Sequence, residues 1–260
     1  MGSSAVQGAL WGASASAWSE LAEPSQIPFY EAAFDGIGLR PGQRLLDAGC
    51  GSGLALVLAT ERGATATGLD ASPGLLEVAR RRLPDAGLHQ GDLEDLPFSD
   101  DTFDAVTAFN SVQYAADPVS ALRELVRVAK AGAPVAITTW GAPEQCEMRV
   151  VLQAIGGVLP PPPPGAGGPF ALSAPGALEG LTEAAGLVTE RTVEVLTPYV
   201  WPDLDTAVRA QMTSGPATRA IAHAGSDALH EVLTTALADH VGPDGVVHLD
   251  NVFRVHITRA

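Results

Sequence analysis

Residues 45–53 read Leu-Leu-Asp-Ala-Gly-Cys-Gly-Ser-Gly, and this stretch decides the fold. Two leucines close a buried apolar run, and Asp47 follows. Gly49, Gly51 and Gly53 then occupy alternate positions. A helical apolar pattern starts at once, with Leu54, Leu56, Val57 and Leu58. Strand, glycine-rich turn and helix in this order form a nucleotide-binding corner. Glycine is required where backbone turns tightly and a ligand must come close. A dinucleotide corner favours G-x-G-x-x-G, which seats a pyrophosphate on the helix N-terminus. Here the order is D-x-G-x-G-x-G, followed by Leu54 and Ala55.

Outward from this corner, strand and helix signals alternate as far as Trp140. The predicted strands are Arg44 to Ala48, Thr65 to Leu69, Leu88 to Gln90, Phe103 to Phe109 and Pro134 to Trp140. Helices are expected between them. Ser52 to Arg62 is closed by Gly63, and Ser72 and Asp117 each stand before a proline as an N-cap. Alternation of this kind gives a parallel sheet with helices on both faces. Ligands of such sheets bind at the carboxyl ends of the strands.

Beyond Trp140 the rhythm breaks. A helix is expected over residues 143–159, then the run Pro160 to Pro164 and glycines to Gly168. That stretch reads either as a surface linker or as the edge of a lid. A helix from Pro175 to Ala185, a sixth strand from Val188 to Leu196, an insertion over 198–225, a helix from Asp227 to His240 and a seventh strand from Val246 to Thr258 complete the chain.

Composition narrows the function. The chain has 260 residues and a formal net charge of −15, which repels phosphate backbones and argues against nucleic-acid or anionic-membrane partners. Arg80 to Arg82, near a helix end, reads as a solvated face. Two cysteines, one inside the glycine turn, fit a reducing compartment. No apolar run approaches the roughly 20 residues of a membrane span, no signal peptide is read, and no metal-ligand spacing is seen. The expected location is cytoplasmic, and the composition suggests a bacterial chain.

Three further motifs stand at predicted strand ends: GLDAS with Asp70 and Ala71, GDLEDLPF with Asp92 and Leu93, and TAFNSVQY with Asn110. An ionised aspartate only accepts hydrogen bonds, so Asp70 suits a ribose diol, as it also would in a dinucleotide fold. Together with the glycine corner, these motifs resemble class I S-adenosylmethionine (SAM)-dependent methyltransferases. The general look is similar to the ubiquinone/menaquinone-biosynthesis-like branch acting on small molecules. Ala131-Gly132-Ala133-Pro134 departs from the Pro-Gly-Gly more usual in that branch.

The resemblance implies a Rossmann-like seven-stranded α/β sheet of order 3-2-1-4-5-7-6, strand 7 antiparallel. It implies an N-terminal helical lid (1–38), a SAM-binding core (39–141) and a remainder (142–260) with cap insertions near 143–174 and 198–244. Whether the N-terminal segment moves or is permanently docked stays open. Gly49, Cys50, Gly51 and Gly53 would wrap the methionine part of SAM, and Asp47 would help orient its ammonium. Asp70 and Ala71 would meet the ribose, and Asp92 and Leu93 the adenine. Asn110 would approach the methionine end. The expected reaction is in-line methylation of a small, largely apolar metabolite, on oxygen rather than nitrogen or carbon, with S-adenosylhomocysteine as product. Non-methylating SAM chemistry such as cyclisation, and a non-catalytic SAM-binding module, are the alternatives. A general base is harder to find. His223, in the apolar Ile221-Ala222-His223-Ala224 run, is the first candidate, and His230 the second. Oligomeric state is not readable.

Overall fold

A computed structural model describes residues 3–161 and 168–260. The expected linker or lid edge falls mostly on 162–167, outside the described residues. Three helices come first: α1 (Ser4–Gly12), α2 (Ala15–Leu21) and α3 (Ile27–Ile37). The core follows as β1 (Arg44–Ala48), α4 (Leu54–Glu61), β2 (Thr65–Asp70), α5 (Pro73–Arg82), β3 (Gly87–Gln90), β4 (Ala105–Phe109), α6 (Pro118–Val128) and β5 (Pro134–Trp140). The rest is α7 (Arg149–Gly157), α8 (Ala177–Ala185), β6 (Val188–Leu196), β7 (Tyr199–Trp201), α9 (Leu204–Gln211), α10 (Gly215–Ala224), α11 (Ser226–Leu237), β8 (Val247–Leu249) and β9 (Val252–Arg259).

The main sheet has seven strands in the order β3-β2-β1-β4-β5-β9-β6. All neighbours up to β5 are parallel, and β9 runs antiparallel between β5 and β6. This is the expected topology, the last strand being numbered ninth because a two-stranded β7-β8 ribbon intervenes. The expected strand over 246–258 is therefore two. Buried Asn251 splits it: its side chain accepts from Met148 N at 2.9 Å and donates to Leu249 O at 3.1 Å. A buried amide must find such partners, and they bend the chain out of one sheet into the other.

Central β4 and β5 are buried along their whole length, whereas β6 is an exposed edge. Uniformly apolar strands suit a sheet covered on both faces. Two large buried clusters flank it. One joins α3, α4 and the C-terminal insertion helices to Leu45, Phe109 and Trp140. The other joins α6 and α8 to Leu46, Val106, Leu122 and Ile137. The caps form as the sequence requires: Ser72 Oγ accepts from Leu75 N, and Asp117 Oδ1 accepts from Val119 N and Ser120 N.

The N-terminal segment divides. Phe29 and Ala33 are fully buried and Phe34 is 1% exposed, so α3 is part of the core. Trp11 and Trp18 do not lie on one helix, because α1 ends at Gly12 and α2 begins at Ala15. Their rings nonetheless meet edge to face, with centroids 5.0 Å apart. Close approach explains Gly8 and Gly12: a Cβ on Gly8 would sit 2.4 Å from Ala71 O, and one on Gly12 would sit 2.7 Å from Ser72 Oγ. Helix α1 thus lies directly over the β2–α5 turn.

Candidate active site

The carboxyl ends of β1, β2, β4 and β5 open into one cavity, roofed by α1, α2 and the insertion. Its empty space, counting the open mouth, is about 1410 Å³. Asp47, Gly49, Cys50, Gly51, Asp70, Ala71, Asp92, Leu93 and Asn110 all line it. Gly53 does not. It starts α4 behind the turn at φ +84°, where a Cβ would meet Ala79 at 2.9 Å.

The turn is built from the strand ends. Gly49 N and Cys50 N both donate to Leu69 O, at 2.7 and 2.9 Å, which pins the loop onto β2. Gly49 has φ +85°, and an added Cβ would stand 2.4 Å from that of Ser111. Ser111 is itself held by donating from its hydroxyl to Ala48 O at 2.8 Å. Cys50 contributes backbone, since its thiol faces Gly68 behind the turn. Asp70 braces the loop as well: one carboxylate oxygen accepts from Gly51 N and the other from Ser72 N, both at 2.8 Å. Each oxygen keeps a lone pair for a ligand. Asp92 accepts from Glu94 N at 3.0 Å, which shapes its loop. Asn110 sits in the left-handed region at φ +48°, an uncommon backbone for a residue with a side chain. Its N–H is bound to Thr138, through the carbonyl at 3.2 Å and the hydroxyl at 3.1 Å.

Asp47 is 1% exposed and accepts from Thr107 Oγ at 2.8 Å. Burial raises its carboxyl to about 7, the Thr107 bond opposes the rise, and Asp70 and Glu23 add to it. A cationic ligand favours the ionised form. SAM affinity is therefore expected to increase as pH rises from about 6 through 7 and to level off above, with proton release visible as buffer-dependent heat in calorimetry. Asp47→Asn should abolish both the slope and the release. Without ligand the sign reverses: the raised folded-state value means stability declines as pH rises from the ordinary carboxylate range through about 7.

A component not read from sequence is the Glu23–Arg82 pair. Glu23 is 2% exposed, lines the cavity, and is ion-paired with Arg82 at the end of α5. Arg82 also donates to Ser52 O and Ser19 O, both at 2.9 Å. One guanidinium thus ties α2 to the glycine turn. Arg80 and Arg81 are exposed, as expected, and Arg82 is not.

His223 does not reach the cavity. It lies on the exposed side of the last turn of α10, because Ala217 and Ala220 supply the face that packs inward. His230 is exposed on α11. Among the described residues no histidine lines the cavity. Buried His256 is on β9, 2.9 Å from the Thr192 hydroxyl, with its ring lowered to about 4 by burial. Also among the described residues, the lining holds four carboxylates (Glu23, Asp47, Asp70 and Asp92) and no lysine or arginine. Such a wall suits a cation and opposes a pyrophosphate. Past the carboxylates the lining turns apolar and aromatic, with Tyr30, Phe109, Trp140, Met148, Ile155 and Tyr199.

Comparison with known proteins agrees with this geometry. Residues 46–137 match a family model described as a methyltransferase domain. The chain is 37% identical over 117 residues to the demethylmenaquinone methyltransferase of Renibacterium salmoninarum, an overlap of 45% of this chain and 49% of that one. It is 38% identical over 117 residues to the malonyl-[acyl-carrier protein] O-methyltransferase of Serratia marcescens, covering 45% and 46% respectively. The chain therefore spans about half the length of the curated relatives it matches. Its fold is similar to that of a Bacillus halodurans protein assigned to the methyltransferases, with TM-score 0.60 and 16% identity over 88% of this chain and 97% of the other. The glycine corner and the three acids at successive strand ends fall within the matched segment, and residues 46–137 are similar to a methyltransferase domain.

Proposed function

We propose that the chain transfers a methyl group from SAM to a small, largely apolar acceptor, on oxygen rather than on nitrogen or carbon. One observation carries the reading: a carboxylate-lined cation site beside the glycine turn continues directly into an apolar aromatic pocket. The residues fit the cofactor. Asp47 and Glu23 give the methionine end a negative surround, Asp70 offers lone pairs to a ribose diol, and Asp92 with Leu93 faces the adenine position. Gly51 has φ +54° and open space where a Cβ would be, so backbone and ligand can meet. When bound, SAM supplies an activated methyl on a sulfonium. The residues of the chain then have three tasks: to hold the acceptor in line, to exclude water and to leave a proton somewhere to go.

Buried Tyr30 and Tyr199 and half-buried Tyr114 all have their ionisation pushed upward by removal from water, so they remain neutral donors. With no histidine in the described lining, an acceptor that ionises readily, as a phenol, enol or carboxylic acid does, suits the site best. A panel of such acids, amines and macromolecules offered with labelled SAM tests the reading. The expected product is the methyl ether or methyl ester of a small hydroxy compound, with the acceptor's proton released. A protein, tRNA or DNA fragment as the best acceptor in competition would overturn it.

Helices α1 and α2 are proposed as a cover that tightens on cofactor binding. Deleting residues 1–35 would remove core helix α3, so the informative truncation stops before Ile27. SAM is expected to slow proteolysis at α1–α2 and shift tryptophan emission. Equal cleavage rates with and without SAM would show a fixed roof instead.

A further inference from the structure

The cofactor half of the cavity is short of hydrogen-bond donors. Its four carboxylates accept, and among the described residues no lysine or arginine lines it. The glycine turn adds little, because Gly49 N and Cys50 N are spent on Leu69 O and Gly51 N is spent on Asp70. Ser111 spends its hydroxyl on Ala48 O. Yet the amino-acid end of SAM carries a carboxylate beside its ammonium. An anion taken out of water needs N–H or O–H donors.

Asn110 supplies such a donor at the turn. It follows β4, and its neighbour Ser111 packs directly against Gly49. Asn110 is half-buried and lines the cavity. Gln7, Trp18 and Gln211 line it too, but they sit on α1, α2 and α9 of the roof rather than on the turn or its strand ends. The Asn110 backbone is held at φ +48° by its N–H bonds to Thr138. A backbone kept in that region is over-determined by its surroundings, and such residues concentrate at ligand sites. Its side chain is oriented from behind: Gln113 Nε2 donates to Asn110 Oδ1 at 3.5 Å. A carboxamide has one accepting oxygen and two N–H donors. With the oxygen engaged by Gln113, the Asn110 nitrogen is left for the cavity, and among the described residues it has no protein partner.

Gln113 is costly as placed. It is 2% exposed, and its Oε1 is buried with no partner among the described residues. Turning this amide over would strand two N–H donors instead of one oxygen. It would also turn the Asn110 oxygen into a wall already made of acceptors. A methionine would fill the same space and leave no polar group unmet. The glutamine therefore serves orientation rather than stability.

Resting on the methyltransferase reading, we propose that Asn110 donates to the carboxylate at the amino-acid end of the cofactor, and that Gln113 is the positioning residue that keeps the Asn110 nitrogen turned into the cavity. The site thereby selects ligands that retain the carboxylate, although its own negative charge favours the decarboxylated cation.

The test uses the full chain and three probes: S-adenosylhomocysteine, its decarboxylated analogue with the same ammonium, and adenosine. Titration calorimetry of the wild type should show S-adenosylhomocysteine binding about tenfold more tightly than the analogue, as expected for a hydrogen bond to a charged group. Asn110→Ala should abolish or reverse that preference. Gln113→Met should reduce it about threefold or more, with a Tm equal to or above that of the wild type. Adenosine, which lacks the amino-acid end, should stay within about twofold in both variants. A merely structural role for Gln113 gives another pattern: a lower Tm, with S-adenosylhomocysteine and its analogue weakened alike. That pattern, an unchanged preference in Asn110→Ala, or equal binding of the two ligands by the wild type would overturn the proposal. If S-adenosylhomocysteine fails to bind the wild type at all, the methyltransferase reading falls; if it binds and the preference is missing, only the carboxylate assignment falls.

Discussion

Asp70→Ala is expected to lower SAM affinity at least tenfold. The carboxylate would lose two charge-assisted hydrogen bonds to a ribose, each contributing about 1.5–3 kcal/mol. Water filling the gap returns part of this. The substitution also leaves Gly51 N and Ser72 N without their acceptor, so the turn itself loosens. Asp70→Asn separates the two effects, because it keeps one accepting oxygen and the packing but removes the charge. Its affinity should fall between wild type and alanine. Burial raises the Asp70 carboxyl, so removing the charge offsets part of the loss of its two backbone bonds, and the alanine protein is expected to lose far less stability than binding near neutral pH. Titration calorimetry and thermal unfolding of the three proteins check this, and normal SAM binding by both Asp70→Ala and Asp92→Ala would refute the site assignment.

Arg82→Ala is expected to have the largest effect on stability. Glu23 would remain buried with its partner gone, and breaking a buried pair from one side costs about 3 kcal/mol or more. For a chain of this size that corresponds to a fall in Tm of roughly 6–12 °C. The deficit should depend on pH. Glu23 is already raised by burial, with Arg82 holding it down, so losing the guanidinium raises it further. A raised carboxyl removes stability as pH climbs through its folded value. The Tm difference from wild type should thus be larger at pH 8 than at pH 6, and Glu23→Gln in the Arg82→Ala background should recover much of it. A pH-independent difference would mean that the lost bonds to Ser19 and Ser52 carbonyls matter more than the charge.

The parts of the fold written in local chemistry were legible. Proline after Ser72 and after Asp117 marks helix starts by fixing φ and supplying a cap, and both helices begin there. The glycine corner shows in sequence because no other residue tolerates those backbone angles beside Ser111. What stayed hidden depends on distant partners. Arg82 looks like its neighbours Arg80 and Arg81 until α2 folds over it from 63 residues away. Residues 246–258 read as one strand, alternating in part through Phe253, Val255 and Ile257, and only the reach of Asn251 to Met148 shows why the strand breaks. His223 sits in an apolar run, yet Ala217 and Ala220 earlier on the helix, not the imidazole, face inward.

The two cysteines offer a way to time openings in the protein. Cys50 lies beneath the cofactor turn, and Cys146 lies behind the acceptor wall, 3.3 Å from Val252 O. Both thiols are buried and free, and burial raises both. A thiol in that condition is inert until the structure around it parts. Alkylation of Cys50 should therefore proceed at the rate at which the turn lifts from β2, and that of Cys146 at the rate at which α7 leaves the sheet. Mass spectrometry of the two alkylated peptides would provide separate clocks for the two halves of the cavity, in the same tube and with no engineered residue. Cofactor should slow the first clock, and an acceptor molecule the second.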